Sequence, residues 1–417
     1  MKEESTIAFE RVIGLDSHPD SFTAALVRGA TPAAAVVENV FNKVPMGQLA
    51  QWAQKHTTER DFFVLEASGN SFYVVRTLEA IGRRARVLES TQLGRLKEAH
   101  ANNDKLSAER IAKAYLAGTT KSVWVPDLKT QERRDCFHAH QKVIKRTTQL
   151  RNRLKSYLSD QGVRLASGTE LSAPALRSLR AWPARQWQII EGLLLALHHT
   201  EEQDAYWRSL MAQEVLEDPQ LLALVRQCGV ADVVAFAIGA IVGDIHRFAR
   251  PGSLVKYAGL NPACDDSGNG QWHGGIGGHG RRDLRTLLVE AAQSVLRSGD
   301  SLGRWGRRLL ASKGSVNLSA AAIARRLLVA IWYLLMGRWD ELKEVKAPLK
   351  AKVSRIITHL GEAGLKRLGQ SAAQVRAQAH ERLKAYQPLV LGGKVYTRQP
   401  DGRWAPGRPA PPAAAAT

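Results

Sequence analysis

Two short apolar runs that each end in an acid decide how the first part of this chain folds: RVIGLD at residues 11–16 and FFVLE at residues 62–66. Apolar runs of this length between polar residues are typical of buried strands. We therefore expect Asp16 and Glu66 at strand ends, where carboxylates from separate parts of the chain converge on one pocket. Such convergence is what a divalent metal requires.

The residues around these runs, from 11 to about 125, alternate between short strands and helices. Two further strands and two helices are predicted, at residues 22–27, 85–88, 46–55 and 71–81. This alternation predicts an α/β fold with a mixed sheet for a first domain, residues 1–125. Asp104 begins another helix, so a third carboxylate is expected at a helix N-terminus.

Beyond Pro126 the chain is expected to be mainly helical. Residues 130–159 contain no Gly or Pro and carry an apolar stripe at helical spacing, which predicts one long helix. Further helices are predicted at residues 187–197 and 201–226. This part of the chain is expected to comprise a helical linker region, 126–215, and a helical domain, 216–340. A glycine-rich stretch, residues 261–280, is expected to be a long loop.

The last part of the chain, residues 341–417, is expected to add a basic helical piece to these domains. A hairpin is predicted around Gly392 and Gly393, followed by a Pro/Ala-rich tail that should be disordered.

Composition points to a phosphate polymer as partner. The 417 residues include 59 Lys and Arg against 39 Asp and Glu, a formal net charge of +20. A membrane is not expected, because neither terminus carries an amphipathic anchor or secretory signal and no apolar run approaches ~20 residues. Three cysteines without a CxxC pair indicate a cytoplasmic protein and argue against zinc.

The predicted long helix has a basic polar face that suits either a phosphate backbone or solvent. Both interpretations stay open for this segment taken alone. The face comprises Arg133, Arg134, Lys142, Lys145, Arg146, Arg151, Arg153 and Lys155.

Each acid alone has an ordinary structural explanation. Asp16 could cap the turn before His18, Glu66 could pair with a neighbouring arginine, and Asp104 could cap its helix. Their joint occurrence in an α/β frame favours a magnesium site, because Mg²⁺ prefers carboxylate oxygens and assists phosphodiester cleavage.

Ser267 stands in the sequence DDSGNG, where neighbouring glycines leave its hydroxyl open to a ligand. A serine hydroxyl is a weak nucleophile until a base or a metal lowers its pKa. The alternative is that this stretch is only a turn.

Several of these residues belong to motifs that the chain shares with a known protein family. The sequence resembles transposases of the IS110 insertion-sequence family, also known as DEDD or Piv-type recombinases, over roughly residues 11–335. The motifs that carry it are Gly243-Asp244-Ile245, Arg247-Phe248, LVKYAGLNP at 254–262, Ser267-Gly268, Gly275-Ile276, Gly280 and Leu284-Arg285.

The resemblance implies an RNase H-like, RuvC-type N-terminal domain that holds magnesium, a helical coiled-coil linker and a helical transposase domain. Carried over residue by residue, it makes Asp16, Glu66 and Asp104 metal ligands and Ser267 a nucleophile that forms a phosphoserine link to DNA. It also implies double-stranded DNA, a structured noncoding guide RNA and a homo-oligomer, a dimer or tetramer, as partners.

Two departures from the family pattern concern these sites. Ser107 stands where the family has a fourth acid, so its hydroxyl would have to serve as the metal ligand. The second departure is in the glycine-rich loop, which lacks the family's lysine, although Arg281 and Arg282 keep positive charge near any phosphate.

Three functions are therefore carried forward. The leading one is an RNA-guided DNA recombinase with a serine nucleophile. A RuvC-type metal-dependent junction nuclease, in which water attacks, is the second. The third is a catalytically inactive nucleic-acid-binding relative, which the replacement of an acid by Ser107 favours.

Overall fold

A computed structural model describes residues 9–90, 104–166, 168–267, 270–277, 279–337, 349–385, 389–391, 394–398 and 404–406. The chain divides into two compact units, Met1–Asp127 and Leu128–Thr417, which are called unit 1 and unit 2 below.

Unit 1 contains a six-stranded mixed sheet in the order β3-β2-β1-β4-β5-β6. Its strands are β1 Val12–Ser17, β2 Ser21–Arg28, β3 Val36–Pro45, β4 Phe62–Glu66, β5 Arg84–Leu88 and β6 Ser122–Val123. The pairs β1–β4 and β4–β5 are parallel, while β1–β2, β2–β3 and β5–β6 are antiparallel. The predicted α/β fold with a mixed sheet is confirmed.

In the described part of unit 1, three helices cover the two faces of this sheet: α1 Leu49–His56, α2 Ser71–Ala80 and α3 Asp104–Leu116. Residues of β1 and β4 alternate between the faces, as side chains in strands do. Ile13 and Leu65 share a buried cluster with Trp52 of α1, whereas Val12 and Val64 pack with residues of α3. The sheet is thus buried on both sides, which explains its continuous apolar runs.

Unit 2 is mainly helical in its described residues. Its helices are α4 Leu128–Asp160, α5 Ala173–Leu179, α6 Ala184–Glu217, α7 Pro219–Leu224, α8 Asp232–Val242, α9 Pro251–Tyr257, α10 Arg282–Leu296, α11 Ser301–Lys313, α12 Val316–Leu335, α13 Leu349–Leu368 and α14 Ala372–Ala385. Its strands are β7 Pro262–Ser267, β8 Gly270–Ile276, β9 Leu389–Leu391, β10 Lys394–Arg398 and β11 Trp404–Pro406.

The two longest helices, α4 and α6, pack along each other. The long helix predicted at 130–159 is confirmed as α4. The two helices predicted at 187–197 and 201–226 are wrong in their division, because α6 continues as one helix to Glu217. It ends there since Pro219 follows, and the Asp218 carboxylate accepts hydrogen bonds from the first backbone N–H groups of α7.

Helix α12 is the one described helix that is long and apolar enough to cross a membrane, judged by length and composition alone. More than half of its most apolar window is buried inside the protein. It packs against α9, α10 and α11, as the central helix of a protein core does.

Helices α13 and α14 belong to the core of unit 2 instead of forming a separate extension. Val353, Ile356 and Leu360 are at most 1% exposed within the same apolar cluster as α8 and α12. The Lys352 ammonium donates hydrogen bonds to the carbonyls of Val225 and Gln227, at 2.7 and 2.5 Å.

Beyond α14, the described strands bear out one prediction for the end of the chain. Strands β9 and β10 pair antiparallel with Leu391 opposite Lys394, which confirms the hairpin predicted around residues 392–393. The Pro/Ala-rich tail lies outside the described residues.

Candidate metal site and serine hairpin

Two of the predicted metal-binding acids lie side by side in unit 1. Strands β1 and β4 are parallel neighbours with Leu15 opposite Leu65, so Asp16 and Glu66 are the next residues in the same register. Side chains at matching positions of adjacent strands point to the same face of a sheet. Both residues are half-buried, and both lie at the ends of the strands that the apolar runs predicted.

Helix α3 crosses this face of the sheet directly over β1. A Cβ atom at Gly14 would lie 2.0 Å from the Ala108 carbonyl oxygen and 3.1 Å from the Ala112 Cβ. Because no side chain fits between them, glycine at position 14 is what lets α3 pack this closely.

The direction of α3 brings its first residue to the same end of the sheet. The ring of Tyr115, near the C-terminus of α3, stacks on Phe62 at the start of β4, with 5.1 Å between centroids. The helix therefore runs opposite to β1 and β4, and its first residue, Asp104, lies at the end where Asp16 and Glu66 emerge. The Asp104 side chain itself lies outside the described residues.

Ser107, the residue that replaces a fourth acid, lies in the first turn of α3 and is half-buried. It precedes Ala108, which contacts the sheet at Gly14. Its hydroxyl oxygen thus belongs to the turn of α3 nearest the predicted metal site.

The surroundings of the two described acids differ. The His18 Nε2 atom lies 3.9 Å from the Asp16 Oδ1 atom, and the Asp16 side chain is 21% exposed. Within the described part of the chain, no hydrogen bond or ion pair to the Glu66 carboxylate is formed, so the alternative of a pairing arginine finds no support there.

Asn70 joins the two loops that follow these acids. Its side-chain oxygen accepts hydrogen bonds from the hydroxyls of Ser17 (3.3 Å) and Ser68 (2.9 Å), and its Nδ2 donates to the His18 carbonyl at 2.8 Å. Sequence reasoning missed this residue. The signal would have been its place in the turn ASGN directly after Glu66, since Asn side chains bond to nearby loop backbone.

The donor set at this end of the sheet consists of oxygen atoms, carboxylates with one hydroxyl. Hard cations such as Mg²⁺ prefer such donors, so the residues fit the predicted ion. Among the side chains that the structure describes, no three acids, histidines or cysteines form a metal-binding group. The third ligand would be Asp104, whose side chain is not among them.

Ser267 lies in unit 2, on a β-hairpin. Strands β7 and β8 pair antiparallel from Pro262 opposite Ile276 to Ser267 opposite Gly270. The prediction of a long loop at residues 261–280 is therefore wrong for most of its length. Glycines bend and connect the strands here but do not prevent backbone pairing. Ser267 is the last paired residue before the tip of the hairpin.

The base of this hairpin is fixed by two glycines in contact. Both Gly259 and Gly280 have positive φ, 68° and 95°, which favours glycine. A Cβ at Gly259 would lie 2.0 Å from the His279 carbonyl oxygen, and one at Gly280 would lie 2.7 Å from the Gly259 nitrogen. The Arg281 N–H donates to the Tyr257 carbonyl at 2.8 Å, which closes the base further.

Arg281, predicted to meet a phosphate, forms an internal ion pair. Its guanidinium donates to both carboxylate oxygens of Asp283, at 3.0 and 2.6 Å. Burial raises the pKa of Asp283, but hydrogen bonds from His138 and Arg281 outweigh it and hold that pKa well below its usual range. Arg282, the next residue, is exposed at the start of α10.

Arg133 and Arg134 require a correction, because both lie inside unit 2 and not on a phosphate-binding face. Arg134 is 8% exposed and donates to the carbonyls of Ala240 and Ile241, at 2.9 and 3.1 Å, where α8 ends. One Arg133 nitrogen lies 2.7 Å from both the Glu214 and the Asp218 carboxylates. Arg134 satisfies helix C-terminal carbonyls, as cations commonly do.

The other cations predicted on α4 are exposed. Arg151 lies 2.8 Å from the Glu201 carboxylate of α6, a pair in which both side chains are about half exposed. This exposed set consists of Lys142, Lys145, Arg146, Arg151, Arg153 and Lys155.

Comparison with known proteins identifies a family for part of unit 2. Residues 223–304 match the model of the transposase IS116/IS110/IS902 family. The matched residues include α8, α9, the β7–β8 hairpin and α10, and they contain the motifs that carry the resemblance found in the sequence.

Relatives that are similar over about two thirds of this chain agree with this match. The transposase for insertion sequence element IS1111A of Coxiella burnetii is 27% identical over 283 residues, which cover 65% of this chain and 77% of the relative. A probable family 20 transposase of Pseudomonas aeruginosa is 25% identical over 299 residues, 67% of this chain and 88% of the relative. The chain is thus similar to IS116/IS110/IS902 transposases over residues 223–304 and to named transposases over about two thirds of its length. These homologues are named transposases, enzymes that act on DNA by phosphoryl transfer.

Proposed function

We propose that this chain is a transposase that cuts and rejoins DNA, with Ser267 as nucleophile and a magnesium ion bound by acids of unit 1. The observation that carries the proposal is the register of Asp16 and Glu66 on one face of the sheet. The start of α3 at Asp104 lies at the same end of the sheet and supports it.

In this proposal Asp16, Glu66 and Asp104 hold magnesium, and Ser107 supplies a further oxygen. Bound there, the ion would neutralise phosphate oxygens and the leaving oxygen. Asn70 keeps the loops after Asp16 and Glu66 together, so that the two carboxylates stay in register.

Ser267 has the role of forming a temporary link to DNA. Its Oγ attacks a backbone phosphorus, and the Oγ–P bond forms as the bond from phosphorus to a deoxyribose oxygen breaks. The hydroxyl proton passes to a base, and the deoxyribose oxygen leaves with a proton. Attack by a deoxyribose hydroxyl on the phosphoserine reverses the step and rejoins DNA.

The partners in this proposal are double-stranded DNA, a structured guide RNA and further copies of the chain. The net charge of +20 and the exposed cations of α4 support binding of phosphate backbones. Affinity that falls steeply with salt is the expected result, and a salt-independent affinity would contradict it.

The test uses the full chain with junction DNA of its own element, RNA from the flank of that element and Mg²⁺. A denaturing gel should show DNA covalently attached to protein, and the adduct should be absent with Ser267→Ala, with Asp16→Asn or without the RNA. Ser312→Ala, which removes an exposed hydroxyl from α11, should keep the adduct. An adduct that persists in Ser267→Ala would exclude Ser267 as the nucleophile.

Ser107 supports a second candidate, a nucleic-acid-binding relative without chemistry. If DNA and RNA bind but no adduct and no cleavage appear, this candidate is correct, and Ser107→Asp should then restore activity. Hydrolysed DNA ends without an adduct would instead indicate the junction nuclease.

A further inference from the structure

A groove of about 1100 Å³ in unit 2 has no role in the site described so far. One wall is the open end of the β7–β8 hairpin, at Pro262 and residues 274–276, and the other walls are α11 and α12. Small-molecule pockets measure roughly 300–1,000 Å³. The groove is therefore large enough for a segment of a polymer.

The apolar part of the groove, called its floor below, is formed by small side chains of α12. Ala321, Ala322 and Ala330 of α12 present small side chains there, and Leu318 stands at its edge with 49% of its surface exposed. An open apolar surface beside polar residues is typical of a binding site.

The rim of the groove is basic. Arg308, Arg325 and Arg326 line it and are exposed, and none of the described residues that line the groove is an Asp or Glu. The Arg326 guanidinium lies 3.6 Å from the ring centroid of Trp305, so a flat cation stacked on an indole ring forms part of the lining. An anionic occupant with flat apolar parts complements this arrangement.

We propose that this groove binds unpaired nucleotides of the DNA strand that Ser267 attacks, an inference that rests on the proposed function. Bases contact the alanine floor and the Trp305–Arg326 pair, and phosphates contact the arginine rim. Single-stranded DNA combines these two chemistries, whereas a duplex hides its base faces.

The position of the groove on the hairpin supports this occupant. Strand β7 leads from Pro262, in the groove wall, to Ser267, near the tip. Five residues of strand span about 17 Å. A DNA strand that leaves the groove along the hairpin therefore reaches Ser267 after a few nucleotides.

The test measures binding without chemistry, on the full chain and without Mg²⁺. The probe is a fluorescein-labelled single-stranded oligodeoxynucleotide, compared with the same strand in a duplex and with an oligoribonucleotide of the same sequence. Ala322→Phe fills the floor, and Arg325→Glu reverses one rim charge. Lys313→Glu is the matched control, an exposed cation of α11 outside the groove.

Both groove variants should bind single-stranded DNA on the order of tenfold more weakly, because stacking and phosphate contacts are lost. Duplex binding should not change, and Lys313→Glu should match the wild type. Melting temperatures near that of the wild type would show that the variants fold, and Arg325→Glu tests the inference even if Ala322→Phe does not.

Three results would overturn the inference: unchanged single-strand binding by both variants, tighter binding of the oligoribonucleotide, or a change in oligomer mass with Ala322→Phe while DNA binding persists. The last would make the groove a contact between copies. The adduct assay separates the two proposals. A normal adduct with both groove variants would contradict the role of the groove but support the proposed transposase function. DNA binding that depends on the groove, without any adduct, would contradict the proposed transposase chemistry.

Discussion

At the scale of single residues, Glu66 offers the cleanest test of the metal site. Asp16 lies near His18 at the end of β1, just before the residues that Asn70 binds, so its removal disturbs other contacts. Glu66 is half-buried and accepts no hydrogen bond within the described residues. Its carboxylate can therefore be neutralised with little effect on the fold.

Glu66→Gln should weaken Mg²⁺ binding by at least about tenfold, because an ionised ligand becomes a neutral amide of the same size. Binding of Mg²⁺ to the folded state should raise the melting temperature of the wild type, and this rise should shrink in the variant. Calorimetric titration with Mg²⁺ checks the affinity directly.

Glu79→Gln is the matched control, since Glu79 is exposed on α2 away from the strand ends. It should bind Mg²⁺ as the wild type does. Equal affinities in wild type and Glu66→Gln would show that Glu66 is not a ligand.

Single residues also show what a sequence can and cannot predict. Asp16 and Glu66 were placed at strand ends because the apolar runs before them are local signals. Arg133 and Arg134 were assigned to a solvent-facing surface because helical periodicity shows which residues share a face, not what packs against it. Their partners, such as Glu214 and the carbonyls at the end of α8, are more than 80 positions away.

At the scale of elements, the contact of α3 with β1 controls the predicted metal site. The helix carries Asp104 and Ser107, and its distance from the sheet depends on the missing side chain at Gly14. A change at Gly14 should therefore act on metal binding without altering any ligand.

Gly14→Ala should destabilise the protein by about 1–3 kcal/mol, the usual effect of overpacking, because the added methyl group overlaps the Ala108 carbonyl. It should also weaken Mg²⁺ binding, since α3 must move away from Asp16. Denaturant unfolding and calorimetric titration measure the two effects.

Gly47→Ala is the control for this substitution, because a Cβ at Gly47 meets no atom within 4 Å. It should leave both quantities near their wild-type values. If Gly14→Ala lowers stability but binds Mg²⁺ normally, the position of α3 does not determine the metal site.

Elements are predictable where burial leaves a continuous apolar run, as in β1 and β4, or a helical apolar stripe, as in α4. Strand β3, Val36–Pro45, is not predicted because it lies at the sheet edge and its apolar residues come in pairs, such as Val40-Phe41, instead of alternating with polar ones. The β7–β8 hairpin was read as a loop because its strands contain glycines, although Ser267 and Gly270 pair. Backbone pairing of this kind leaves little trace in side-chain pattern.

At the scale of the whole chain, the helices beyond residue 348 complete unit 2. Val353, Ile356 and Leu360 lie in the core, and Arg226 donates a hydrogen bond to the Leu383 carbonyl at 3.0 Å. Basic composition alone suggested an appendage, because it does not reveal the buried face of α13.

Removal of residues 349–417 should therefore unfold unit 2 or make it aggregate, since apolar residues of α8 and α12 lose their cover. Removal of residues 407–417 alone is the comparison and should leave the melting temperature unchanged. Circular dichroism and limited proteolysis compare the two. A protein that ends at residue 348, is stable and keeps the helix content expected for the rest of unit 2 would contradict the prediction.

The glycine contact at the base of the serine hairpin fixes where the hairpin joins helices α9 and α10. With Gly259 against Gly280 and Arg281 bonded to Tyr257, the base has no freedom to slide. Strand β7 spans about 17 Å from Pro262 to Ser267, so Ser267 lies a full strand length beyond this base. In the proposed function, the DNA backbone would therefore meet the protein at the far end of the hairpin, a strand length away from the helices that hold its base.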